Sequence, residues 1–220
     1  TTAANNVAIG KDALLYNTSG TDNVAVGSNA ADATTTGSDN TAIGDNALGA
    51  NTTASYNTAV GADALLANTT GASNVANGYR ALKTNTTGAN NVAVGYDSLY
   101  ANTTASNNTA VGRDALAANT TGTENVAVGT SSLAANTTGS DNIAIGYQAL
   151  DANTTTAYNV AIGQSALGAN TAHSNTAVGR HAMILNTTGT ANVSLGYGSL
   201  AANTTADNNT AVGYNSLTAN

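Results

Sequence analysis

Carboxylates one repeat apart are the first groups in this sequence that could do chemistry: Asp22 with Asp39, Asp97 with Asp114, and Glu124 with Asp141. Stacked at the spacing of adjacent β-strands, about 5 Å, each pair has the separation of a retaining-glycosidase dyad or of two calcium ligands. Neither chemistry is complete. No pair has a third partner at fixed spacing, no glycine-aspartate calcium nonapeptide is present, and Asp suits turns because its side chain bonds local backbone. His173 and His181 fall in or after the one shortened repeat, beside Met183, Ile184 and Leu185, and read as local repacking. The expectation is a non-enzyme with no catalytic residue, no metal and no cofactor.

Three further columns carry polar groups. Asn-Thr-Thr or Asn-Thr-Ser occurs ten times as a formal glycosylation sequon. Glycans about 4.8 Å apart would collide, so the column reads as a structural ladder. Its threonines raise ice binding, since flat outward Thr arrays on β-solenoids order water. Neighbouring residues of an extended segment face opposite ways, so only one of the two Thr columns can point outward. Tyr79, Tyr96, Tyr147, Tyr197 and Tyr214 share another column. It reads as turn packing, with contact to a sugar or to a neighbouring chain as the alternative.

All these columns depend on a repeat. With the glycine of each Asn-x-Ala-x-Gly numbered zero, the glycines run from Gly10 to Gly213 at intervals of seventeen, except sixteen between Gly163 and Gly179. Such a period signals a solenoid. Asn stands at −4 in every repeat: Asn6, Asn23, Asn40, Asn57, Asn74, Asn91, Asn108, Asn125, Asn142, Asn159, Asn175, Asn192 and Asn209. A β-branched residue follows at −3, Ala at −2 and an aliphatic at −1, the alternation of a short strand. Beyond the glycine come Ala or Ser at +3, Leu at +4, Asn at +7 and Thr at +8. Recurrent Gly, Asn and β-branched residues, with no apolar stripe at helical spacing, argue against a helix. The expected fold is all-β, a parallel β-solenoid of about 13 coils of 17 residues, forming one domain over 1–220 and a rod on the order of 60 Å long. Asn6 to Asn209 form its structural ladder, with amides bonded to one another and to turn backbone.

Composition agrees. Phe, Trp, Cys and Pro are absent, only one Met occurs and nine Tyr are the sole aromatics, so large core fillers are scarce. Charged residues are 8% of the chain because like charges stacked at every coil would repel. The five bases are scattered against a net charge of −7, which argues against nucleic acid and anionic membranes. No apolar run is long enough for membrane insertion, and the absence of cysteine excludes disulfides.

"NVAIG", "NTAVG" and "NVAVG" followed by Ala-Leu resemble the head repeats of YadA-like trimeric autotransporter adhesins. "NIAIGYQALDANTT" and "NTAVGYNSLTAN" resemble repeats of phage tail fibres and related bacterial surface fibres. The resemblance covers the whole chain and implies a left-handed parallel β-roll, three chains side by side, serving as a spacer or an adhesive head. The coils are two to three residues longer than those of the adhesin heads, and no anchor, stalk or chaperone domain is recognisable. The expected role is a structural component of an extracellular, cell-surface or virion-surface fibre. An adhesin head or tail-fibre module binding a glycan or receptor is the alternative, and ice binding the second. Self-association is expected laterally, as a trimer that covers the Ala face, and head to tail. Asn220 at +7, followed by Thr1 and Thr2 at +8 and +9 of a second copy, would continue the register.

Overall fold

Three-residue strands recur once per repeat, where the β-branched and aliphatic residues at −3 and −1 flank Ala at −2. The computed structural model describes residues 2–218, so the register match expected of Thr1 and Asn220 falls outside them. The protein is all-β, a parallel β-solenoid with one strand per turn, and divides into two compact units, Thr1–Asn108 and Thr109–Asn220.

The first unit holds β1 (Val7–Ile9), β2 (Val24–Val26), β3 (Thr41–Ile43), β4 (Thr58–Val60), β5 (Val75–Asn77) and β6 (Val92–Val94). Consecutive strands pair in parallel and in register, Val24 with Thr41 and Ala25 with Ala42. The second unit holds β7 (Thr109–Val111), β8 (Val126–Val128), β9 (Ile143–Ile145), β10 (Val160–Ile162), β11 (Thr176–Val178), β12 (Val193–Leu195) and β13 (Thr210–Val212). Its strands pair in the same way, Ala127 with Ala144 and Ala144 with Ala161. Equivalent residues are therefore rungs of one ladder within each unit.

Backbone bonding extends well past the strands. In the first unit Val24 N donates to Asn40 O at 2.8 Å, Asn46 N to Ser28 O at 2.9 Å, Leu48 N to Ala64 O at 2.9 Å and Thr35 N to Thr52 O at 2.8 Å. Almost the whole perimeter of a coil is thus tied to its neighbour, which satisfies backbone groups that turns would otherwise leave to water. The close approach also fixes glycine at position zero. A Cβ at Gly146 would lie 2.6 Å from the Gly163 carbonyl oxygen, and φ there is +135°.

The direction of the strand side chains corrects the expectation of an outward Ala face. Ala at −2 is buried, 0% exposed at Ala25, Ala42, Ala127 and Ala144, whereas the −3 and −1 columns face out, reaching 65% at Val212. The reason is the width of the coil. Where Ser194 replaces Ala at −2, its hydroxyl donates to Ser199 O at 2.8 Å and touches the Ser199 hydroxyl at +3. Only a methyl or hydroxymethyl fits across that gap, so the larger β-branched side chains must turn outward. Core volume comes instead from the +4 column, Leu48 to Leu99 in the first unit and Leu116 to Leu200 with Met183 in the second, all 0% exposed. These residues have left-handed backbone, such as Leu48 at φ 56° and Leu150 at φ 54°. That conformation costs roughly 1–2 kcal/mol for an L-residue, comparable with the 1.5–3 kcal/mol or so gained by burying a leucine.

Candidate functional site

Two columns of buried asparagine are the polar machinery of each unit. The −4 asparagines from Asn23 to Asn192 are fully buried, and Asn6 and Asn209 partly so. Asn40 shows their full bonding. Its amide nitrogen donates to Asn23 Oδ1 at 3.1 Å and to Ala54 O, fourteen residues on, at 2.9 Å. Its Oδ1 accepts the backbone N–H of Asn57 at 3.0 Å and the side-chain amide of Asn57 at 3.3 Å. The first contact stacks the coils and the second closes one coil upon itself. Asn91 repeats this in the first unit and Asn142 in the second.

The +7 asparagines form the other ladder. Asn85 Nδ2 donates to Asn68 Oδ1 at 2.9 Å and to Gly88 O at 2.9 Å, and Asn136 makes the equivalent pair with Asn119 and Gly139. From Asn51 to Asn203 they are fully buried. Nine of the ten sequon asparagines are therefore sealed inside the folded coil, and Asn17, in the first coil, is half-buried. Both ladders use the amide because it donates and accepts at once, which a stacked column requires.

Threonine at +8, half-exposed or exposed, adds a further bond between coils. Thr35 Oγ1 donates to Thr52 O at 3.0 Å and Thr137 Oγ1 to Thr154 O at 3.0 Å. The +9 threonines face solvent. A further column, at +11, was missed from sequence. Its side chains accept the backbone N–H of the preceding coil, Ser38 from Thr21 at 3.0 Å, Ser140 from Thr123 at 3.0 Å and Asp207 from Thr190 at 2.6 Å. The signal was available as a column in which Ser and Thr recur, with one Asp. The Thr190 bond holds the Asp207 carboxyl below the usual carboxylate range.

The paired carboxylates are placed as turn residues. Asp22, Asp39, Glu124 and Asp141 are exposed and share left-handed backbone near φ +60°, a conformation Asp tolerates well. Asp22 accepts from the Asn5 side chain at 3.0 Å. Asp97 lies in the first unit, ion-paired with Arg80, and Asp114 in the second, 3.0 Å from Arg113. Among the described residues no group of three or more acids or histidines is placed to hold a metal, and no cavity opens. His173 occupies the +11 column, its Nδ1 accepting Ala157 N–H at 3.1 Å, and His181 lies beside Tyr197, ring centres 6.1 Å apart.

Surface charge follows a pattern. Lys11, Arg80, Lys83 and Arg113 pair one to one with Asp12, Asp97, Asp63 and Asp114. The net charge of −7 therefore equals the eight remaining carboxylates less Arg180. Three consecutive coils of the first unit concentrate the contacts. The Arg80 guanidinium grips Asp97 through two nitrogens and lies 5.0 Å from the ring centres of Tyr79 and Tyr100 and 5.6 Å from that of Tyr96. Bonding to Asp97 raises the Arg80 pKa, and bonding to Asp63 at 2.9 Å raises that of Lys83. The tyrosine column packs on itself, Tyr79 against Tyr96 at 5.4 Å and Tyr197 against Tyr214 at 5.1 Å. The outward −3 and −1 columns carry no charge at all.

Comparison with protein-family models, with curated proteins and with solved structures finds no match.

Proposed function

We propose that this chain is a structural segment of an extracellular fibre, on a cell or virion surface, whose role is to be stiff and persistent. The observation that carries this reading is the double asparagine ladder. Within each unit every coil is held to the next by backbone bonds around its perimeter and by buried side-chain amides, so bending or opening a coil breaks many bonds together. The residues that vary between repeats lie mainly on the outside, which suits a scaffold whose interior is fixed. The resemblance to YadA-like head repeats and to tail-fibre repeats points the same way.

Lateral self-association belongs to this reading, through the −3 and −1 columns rather than the Ala face. Val7, Ile9, Ile43 and Val75 in the first unit, and Ile143, Ile145, Val193 and Leu195 in the second, are exposed aliphatics on uncharged strands. A second copy presents the same surface, so the apolar area is covered without bringing unpaired charge together. Electron microscopy and sedimentation of the purified chain test the proposal. Fibres or parallel bundles, dispersed by Ile143→Lys with Ile145→Lys while the circular dichroism stays unchanged, support it. Monomers at every concentration overturn the lateral part. An adhesive role is the second reading, favoured by the Arg80, Tyr79, Tyr96 and Tyr100 cluster, since Tyr and Arg held rigid are typical binding anchors.

A further inference from the structure

At −1 the repeat places Val, Ile or Leu in twelve coils and Asn in one: Asn77, which precedes Gly78 in the only Asn–Gly step of the sequence. That pairing is reactive in general. The amide nitrogen of the following residue can attack the asparagine Cγ, and glycine, lacking a Cβ, offers the least steric resistance.

We infer that Asn77–Gly78 is a deamidation site gated by coil stacking, silent while β5 is paired and reactive when that coil opens. Asn77 is exposed and within reach of water, so burial does not protect it. Backbone geometry does. Gly78 N–H donates to Val60 O at 2.8 Å, and Asn77 O accepts Gly95 N–H at 2.8 Å. In β5 Asn77 is in register with Val60 on one side and Val94 on the other. The strand directs the Asn77 side chain away from the sheet, off the line of the following nitrogen. Attack requires the peptide to rotate out of the strand, which breaks both bonds. The flanking Val60 and Val94 supply no acid or base to assist it.

When the coil opens, the Gly78 nitrogen gives its proton to solvent and bonds to Asn77 Cγ. The Cγ–Nδ2 bond breaks, ammonia leaves and a succinimide remains. Water then opens the ring at either carbonyl, giving aspartate or isoaspartate. One water enters, one ammonia departs and nothing is oxidised or reduced. The isoaspartate product lengthens the backbone by one methylene between residues 77 and 78. The two ladder bonds can then no longer both hold, and the opening becomes permanent. Tyr79 and Arg80, next along the chain, would lose the register that sets them beside Tyr96 and Asp97.

The test is to incubate the full chain at mildly alkaline pH, with and without guanidinium, and to follow conversion at each asparagine by peptide mass spectrometry. The expected result is that Asn77 converts first among all asparagines in denaturant, and at least about tenfold more slowly in the folded chain, as for any reaction routed through local opening. Equal rates in the two conditions overturn the gate. Another asparagine converting first in denaturant overturns the assignment of the site.

Discussion

The coil that runs from Gly129 to Gly146 has seventeen residues, and the one from Gly163 to Gly179 has sixteen; both bury the same columns. In the longer coil Asn136 at +7 caps Gly139 O, three residues on, and Asn142 N–H reaches back to Asn125 Oδ1. In the shorter one Asn170 caps Ala172 O, only two residues on, and Asn175 N–H reaches Asn159 Oδ1, sixteen residues back. The residue removed is the exposed one at +9. His173 takes over the +11 acceptor position.

The adjustment is local and has a visible cost. Asn170 no longer donates to Asn153. Instead Asn153 Oδ1 receives the hydroxyl of Thr156, which stands at +10 where other coils carry Gly or Ala, and Asn170 Oδ1 receives Asn175 Nδ2 at 3.1 Å. The shortened coil thus replaces one rung with a cross-brace between the two asparagine ladders. The lesson is that coil length is negotiable on the outside, whereas buried amides must find partners.

Deleting different residues from the longer coil breaks or sharpens this contrast most strongly. Removal of Asn136 should cost more than about 5 kcal/mol, seen as loss of the folded second unit by circular dichroism. Removal of Thr138 at +9 should imitate the natural short coil and cost about 1–2 kcal/mol. Equal damage from the two deletions would end the distinction between outer and inner positions.

Next in size is Asn142→Ala. It strips donors from Asn125 Oδ1 and Thr156 O and an acceptor from Asn159. Each orphaned buried group costs about 1–3 kcal/mol, so the guanidinium midpoint should fall by the equivalent of about 3–5 kcal/mol. His173→Ala removes one exposed bond to Ala157 and should cost about 1 kcal/mol, with His173→Ser restoring most of it.

The smallest effect is on pH dependence. The Asp207 carboxyl is depressed in the folded state by the Thr190 N–H, so its contribution is present above the unfolded pKa and lost as pH falls through the lower folded value. Burial raises Asp151, which acts oppositely and favours the fold as its carboxyl protonates. Melting curves between about pH 5 and pH 2 should therefore lose part of their acid sensitivity in Asp207→Asn and gain acid sensitivity in Asp151→Asn.

The ladders were legible because a polar residue that recurs at the same place in every repeat, as Asn does at −4, must be meeting its own kind. The face of the strand was not. Val-Ala-Val alternates whichever way it is turned, and three residues give no further context, so the preference of large side chains for the interior points the wrong way. The gap bridged by Ser194 and Ser199 settles it, and that depends on how tightly the turn folds back. The left-handed leucines were hidden for the same reason, since no propensity scale anticipates Leu in that conformation. The Arg80 cluster escaped notice because its members, at Asp63, Tyr79, Lys83, Asp97 and Tyr100, come from three coils and align only once these are stacked.

Side-chain amide hydrogen exchange, read by NMR on a sample labelled at asparagine, addresses the ladders directly. The Nδ2 protons of Asn40, Asn91, Asn142 and Asn192 should exchange as slowly as the backbone amides of the strands beside them, while those of exposed Asn77 and Asn208 exchange at the rate of free peptide. Fast exchange throughout would mean that the amides face water, and the interior described for each unit could not exist.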